Sequence, residues 1–143
     1  MEYNEFIQRV QEEAGLAAPD EATVVIKAVL GTLGEMLSPT ERRHLAAQLP
    51  KSLKNYVTEW MERPPKEKGR PHRFRLEAFY HRVAARSDVR YPAAVKRSQV
   101  VMKILREAVA PGELADIFRE LPQEYEELLT GIPKSPVSPT VVE

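Results

Sequence analysis

The chain contains no cysteine. Disulfides, thiolate metal sites and cysteine nucleophiles are therefore excluded, while serine, threonine, lysine and carboxylate chemistry stays open. No secretory leader is expected either. Met1-Glu2-Tyr3-Asn4-Glu5 is acidic and polar where such a signal needs basic residues. No long apolar run occurs either. Ala22 to Leu37 carries Lys27 and Glu35 and is too short and too polar to span about 30 Å of hydrocarbon. The expectation is a cytoplasmic protein with no membrane association. Period-two alternation, the mark of a half-buried strand, appears nowhere. The chain has no Gly-x-Ser-x-Gly elbow, phosphate loop or dinucleotide fingerprint. His44, His72 and His81 are never four residues apart, so no helical histidine pair exists for zinc. No catalytic, cofactor-binding or metal-binding residue is assigned, and no cofactor is expected.

What is present is an ordinary globular composition. Of 143 residues, 43% are hydrophobic and 29% charged, which suits one domain with its own core. Self-comparison reveals an internal repeat. Phe6-Ile7-Gln8-Arg9-Val10 reads against Phe79-Tyr80-His81-Arg82-Val83 at an offset of 73. Leu37-Ser38-Pro39-Thr40-Glu41 reads against Val109-Ala110-Pro111-Gly112-Glu113, and Gln48-Leu49-Pro50 against Glu120-Leu121-Pro122, both at an offset of 72. One single-residue indel near Pro19 and Pro92 joins the two registers. The reading is a tandem duplication of a helical unit of about 55 residues, with the first copy at 1–62, a linker at 63–73 rich in Pro, Gly and basic residues, the second copy at 74–131, and a disordered Pro-containing tail at 132–143.

Each copy reads as helices. Tyr3, Phe6, Val10 and Ala14 recur at three and four, as do Leu76, Phe79, Tyr80 and Val83. Val25, Val29, Leu30, Leu33, Met36 and Leu37 mark the next helix, and Val101, Met102, Leu105, Ala108 and Val109 its counterpart. Ser38-Pro39-Thr40-Glu41 is a capping box with Pro at the first helical position. Ala110 replaces that serine in the second copy, so its helix should start less firmly. Leu49-Pro50 ends one short helix and opens another. Leu53, Tyr56, Val57, Trp60 and Met61 give the last helix its apolar stripe; Tyr125, Leu128 and Leu129 do so in copy two, with Gly131 as the stop. Gly31 and Gly34, inside the second helix, point to close packing. The fold class is all-α, about eight helices in one compact bundle-like domain.

The Phe-x-x-x-Val opening, the Leu-Ser-Pro-x-Glu cap, the Gln-Leu-Pro step and the Phe-Tyr-x-Arg-Val restart resemble a bacterial domain-of-unknown-function family, number 2267. Leu-Arg-Glu-Ala-Val-Ala-Pro-Gly-Glu-Leu and Glu-Leu-Pro-Gln-Glu-Tyr strengthen the likeness, which covers Tyr3 to Leu129. It implies a small, helical, duplicated protein with no established activity. Its motifs are helix starts and core positions, so no functional residue carries over.

The net charge of zero conceals a pattern. Residues 1–62 carry a net −4, residues 63–106 a net +10 and residues 107–143 a net −6. Arg75, Arg82 and Arg86 fall within about 40° on one helix, and Lys96, Gln99, Lys103 and Arg106 within about 80° on the next. These six cations form a candidate anion-binding face. Glu113, Asp116, Glu120 and Glu124 lie three and four apart and mainly suit a helix N-terminus. Glu77 and His81 make an i,i+4 surface pair. The leading function is a non-enzymatic helical protein-interaction module with a charge-polarised surface, acting on an unknown protein partner or by self-association. The second reading is an anionic-ligand or nucleic-acid binder through the basic face, nucleic acid being disfavoured by an overall pI near 6.9. The third is a small-molecule or enzymatic site between the repeats.

Overall fold

A computed structural model describes residues 1–58 and 74–131. The expected linker, the tail, His72, Trp60 and Met61 lie outside the described residues. The described chain is all helical: α1 (Tyr3–Ala14), α2 (Pro19–Met36), α3 (Pro39–Gln48), α4 (Lys51–Lys54), α5 (Leu76–Ser87), α6 (Tyr91–Ala108), α7 (Glu113–Phe118) and α8 (Glu126–Thr130). Two 3₁₀ turns, Asn55–Thr58 and Gln123–Tyr125, precede the end of each half.

The helices begin and end for local reasons. Gly15 takes a left-handed conformation (φ 70°) and closes α1, and the Leu16 N–H returns to the Gln11 carbonyl at 2.9 Å. Asp88 does the same after α5 (φ 57°), with the Val89 N–H on the Ala84 carbonyl at 3.0 Å. Such a turn buries the residue that follows it; Leu16 is buried and Val89 partly so. The capping box at Ser38 is formed in both directions, at 3.2 Å each way. Where Ala110 stands instead, no side chain caps the helix: the chain passes through Gly112 (φ 90°) and α7 starts only at Glu113. The result is ten helical residues in α3 but six in α7. Gly131 (φ 78°) stops α8.

The two halves run in parallel. α1 and α5 have 12 residues each, and α2 and α6 have 18 each. One hydrophobic cluster holds residues of both, from Phe6 and Val10 through Leu30 and Leu33 to Phe79, Val83, Val101 and Leu128. Contacts across the halves are reciprocal: α1 packs on α6, α2 on α5, α2 on α6 and α3 on α7. α2 lies at the centre, and every residue from Ala28 to Leu37 is buried. It is therefore apolar all round at its C-terminal end rather than striped.

Gly34 explains how α2 reaches its neighbour. A Cβ there would collide with the Val57 carbonyl oxygen, so only glycine lets the 3₁₀ turn press on the helix. Alanine favours a helix interior over glycine by about 1 kcal/mol, but overpacking typically costs about 1–3 kcal/mol. The collision is with backbone, so the cost sits at the upper end of that range and Gly34→Ala should destabilise the protein by about 2 kcal/mol net, read as a lower urea midpoint; an unchanged or higher midpoint would show that the turn is not pinned against α2.

Candidate functional site

The six basic residues do not form one face. Those of α5 are drawn to carboxylates of the same chain. Arg75, the residue before α5, reaches Glu124 at 3.3 Å. Arg86 binds Glu35 through both guanidinium nitrogens, at 2.8 and 3.1 Å, and donates to the Thr32 hydroxyl at 2.8 Å. Arg82 stacks on the Phe74 ring at 4.3 Å and lies 4.0 Å from Glu35. Glu35 was legible only as a charge that interrupts an apolar run. The fold buries it to 8% exposure and gives it two arginines.

A mirrored arrangement joins α1 to α6. Arg9 meets Glu107 at 2.8 Å and Glu13 at 2.7 Å, and Lys103 meets Glu13 at 2.9 Å. Arg9 aligns with Arg82, and Glu107 with Glu35, at the offsets of 73 and 72. In both places an arginine of one half's first helix faces a glutamate in the last turn of the other half's second helix. A carboxylate there opposes the negative end of the helix dipole, so each glutamate needs the cation opposite. The third member differs: Arg86 joins Glu35 in one cluster, and at the matching position Glu13 joins Arg9 in the other.

The basic residues of α6 sit together. Lys96, Lys103 and Arg106, with Gln99 between them, line an open cleft of about 430 Å³ bounded by Glu13 and by Leu129 to Gly131 at the end of α8. Arg106 donates to the Leu129 carbonyl at 3.3 Å. Gln99 donates to the Tyr80 hydroxyl at 3.1 Å, and that hydroxyl donates to Glu127 at 3.1 Å. Burial raises the Tyr80 phenol, so it stays a neutral donor at physiological pH. Lys96 forms no ion pair within 4.0 Å among the described residues. Arg90 and Arg97, which were not singled out in the sequence, likewise form none there. Their spacing of seven, one helical stripe, was the signal that could have found them.

The family model described as uncharacterized conserved protein (DUF2267) matches residues 3–128. The chain belongs to this family. Comparison with curated proteins finds no match. The DUF2267 match spans both arginine–glutamate clusters and the whole of α6. No set of three or more potential metal-ligating side chains occurs among the described residues. Glu77 and His81 are 3.8 Å apart and exposed, with the His81 ring against Tyr91. Asp116 of α7 pairs with Arg119, just after the helix, at 2.6 Å, both side chains being exposed. No described helix is long and apolar enough to cross a membrane.

The carboxylates with shifted titration mostly serve as anions. Hydrogen bonds from Arg9, and then from Lys103, hold Glu13 below its ordinary range; Arg9 does the same for Glu107. Burial pushes Glu124 up, but the Leu76 N–H and Arg75 outweigh it and leave it lowered. A depressed folded pKa contributes stability above the unfolded value, near 4.3 for Glu. That contribution is lost as pH falls through the folded pKa. The melting temperature should therefore drop below about pH 4.3, more gently in the Glu13→Gln, Glu107→Gln double variant and in high salt, since these pairs face water. An acid limb that is identical in the double variant would remove the network from the explanation.

Arg86 and Glu35 are only 17% and 10% exposed at their side chains. Removing one partner of such a pair strands the other charge. Arg86→Leu should cost about 2–4 kcal/mol, and adding Glu35→Leu should recover part of that loss. Additive losses in chemical denaturation would mean that the pair is not coupled.

Proposed function

We propose that this protein is a non-enzymatic helical interaction module that docks an acidic protein surface on the N-terminal part of α6. One contrast carries the reading. Arg75, Arg82 and Arg86 are each within 4.0 Å of a carboxylate of their own chain, whereas Arg90, Lys96 and Arg97 have no such pair among the described residues. Cations already satisfied internally gain little from an external anion; unpaired ones on one helix can steer and orient a charged partner. Nucleic acid is less well suited, because Glu13 shares a cleft with Lys96 and opposes a long phosphate backbone there. The two halves are read as copies of one unit, supported by their equal helix lengths, the matched left-handed turns at Gly15 and Asp88, and the reciprocal arginine–glutamate contacts.

The test is affinity capture from native cell lysate, nuclease-treated, at low and moderate salt, with Arg90→Glu, Arg97→Glu bait in parallel. A stoichiometric protein retained by the wild type and lost by the reversed bait is the expected result. Nuclease-sensitive retention would favour the nucleic-acid reading, and identical eluates from both baits would end the claim for this stripe.

A further inference from the structure

The offset of 72 allows the same stripe to be compared in the two halves. Lys96, Gln99, Lys103 and Arg106 of α6 correspond to Val24, Lys27, Gly31 and Gly34 of α2. The same offset maps Leu129 onto Val57. In the first half Gly34 lies flush against the Val57 carbonyl. In the second half Arg106 stands at that junction, reaches the Leu129 carbonyl through its guanidinium, and the helix and α8 part to leave a cleft of about 430 Å³. The halves share a frame and differ here: one junction has a glycine against the turn, the other an arginine beside a cleft lined with three cations.

These cations are not all explained by work within the fold. Arg106 serves α8, and Lys103 shares Glu13 with Arg9. Lys96 has neither role. It is exposed, and it stands where the first half has the exposed but uncharged Val24. Gln99 is held by the Tyr80 hydroxyl, so its carboxamide is oriented before any ligand arrives. Val100 adds an apolar wall.

We infer that this cleft is a binding site for a small polyanion, bearing phosphoryl or carboxylate groups, held by Lys96, Lys103 and Arg106 and oriented by Gln99. Three cations face one carboxylate there, and Glu13 keeps Arg9 as its partner when an anion takes Lys103. The volume falls in the range of small-ligand sites, roughly 300–1,000 Å³. From Lys96 to Arg106 the helix rises about 15 Å, so a ligand with several anionic groups engages the stripe better than a single phosphate. A lysine acts as a point charge and accepts either kind of oxyanion, while the guanidinium adds a directional contact. Lys96 is common to this inference and to the docking reading, but Arg90 and Arg97 lie about 100° or more from every cation of the cleft around α6, so the two are tested by different variants.

Calorimetric titration of the full chain at low ionic strength, with tripolyphosphate and with citrate, tests it. Saturable one-to-one binding of at least one of them is expected, weakened about tenfold or more, a loss readily resolved, by Lys96→Gln or Lys103→Gln and unchanged by Lys51→Gln, a basic position of the first half. Tighter tripolyphosphate assigns phosphoryl chemistry, and tighter citrate assigns carboxylate chemistry. Lys96→Gln lies on an exposed helix position, so it separates loss of binding from loss of fold, and Arg90→Glu, Arg97→Glu should bind the polyanion through an intact cleft. The inference is overturned by no saturable heat with either ligand, by equal weakening in Lys51→Gln, or by binding only to a long oligonucleotide.

Discussion

The arrangement depends on one contact made twice: an arginine on the first helix of each half meets a glutamate near the end of the second helix of the other. Glu35 and Glu107 each sit one residue before the C-terminus of an 18-residue helix. Such a residue is unfavourable alone, because the last carbonyls already carry partial negative charge. Arg82 with Arg86, and Arg9, remove that cost only when the halves are docked. The contacts therefore favour the docked state over separated halves, and they set α1 on α6 and α2 on α5 in register.

The two copies of this contact are built in opposite senses. Around Glu35 one acid is shared by two arginines, of which Arg86 also donates to the Thr32 hydroxyl, and the Arg86–Glu35 pair is largely buried. Around Arg9 one cation is shared by two acids, with Lys103 completing a chain that faces water. The first is costly to break because a stranded charge stays desolvated. The second is individually weak and screened by salt. The interior pair thus locks the arrangement, while the exterior network leaves Lys103 a carboxylate partner that already has Arg9 and can release it.

Much of the frame was legible in the sequence, since it follows from local chemistry. The three-and-four spacing of Phe6, Val10, Phe79 and Val83, the Ser38 box, the uncapped start at Ala110 and the stop at Gly131 all act within a turn or two of themselves, and each is where its chemistry requires. The charged residues were legible only as positions on a helix. Arg75, Arg82 and Arg86 share a stripe, as their spacing requires, but the stripe faces α2 and the start of the last 3₁₀ segment, where Glu35 and Glu124 wait. Angular arithmetic places a side chain around its own axis and carries no information about which helix lies opposite. Glu35 hid for the same reason: in a run of apolar residues it reads as an exposed interruption until α5 supplies two guanidinium groups. Gly34 pointed to close packing, but its partner, a backbone carbonyl 23 residues on, leaves no trace in side-chain pattern.

What separates frame from surface in this protein is how many groups a residue must satisfy. Glu35 answers to Arg86 and Arg82 at once, so a change there must be met by changes on α5. Lys96 answers to nothing in the described chain. A charge at such a position stabilises no contact, and its first-half counterpart shows that an uncharged side chain fits the same register. Side by side, the halves hold the frame constant and let the stripe vary. The physical differences between them are lysine against valine at 96 and 24, where the fold requires neither, and arginine against glycine at 106 and 34, where each half meets its own turn differently. Those differences converge on a single cleft, which is why the chemistry specific to this chain is sought there rather than along the arginines of α5.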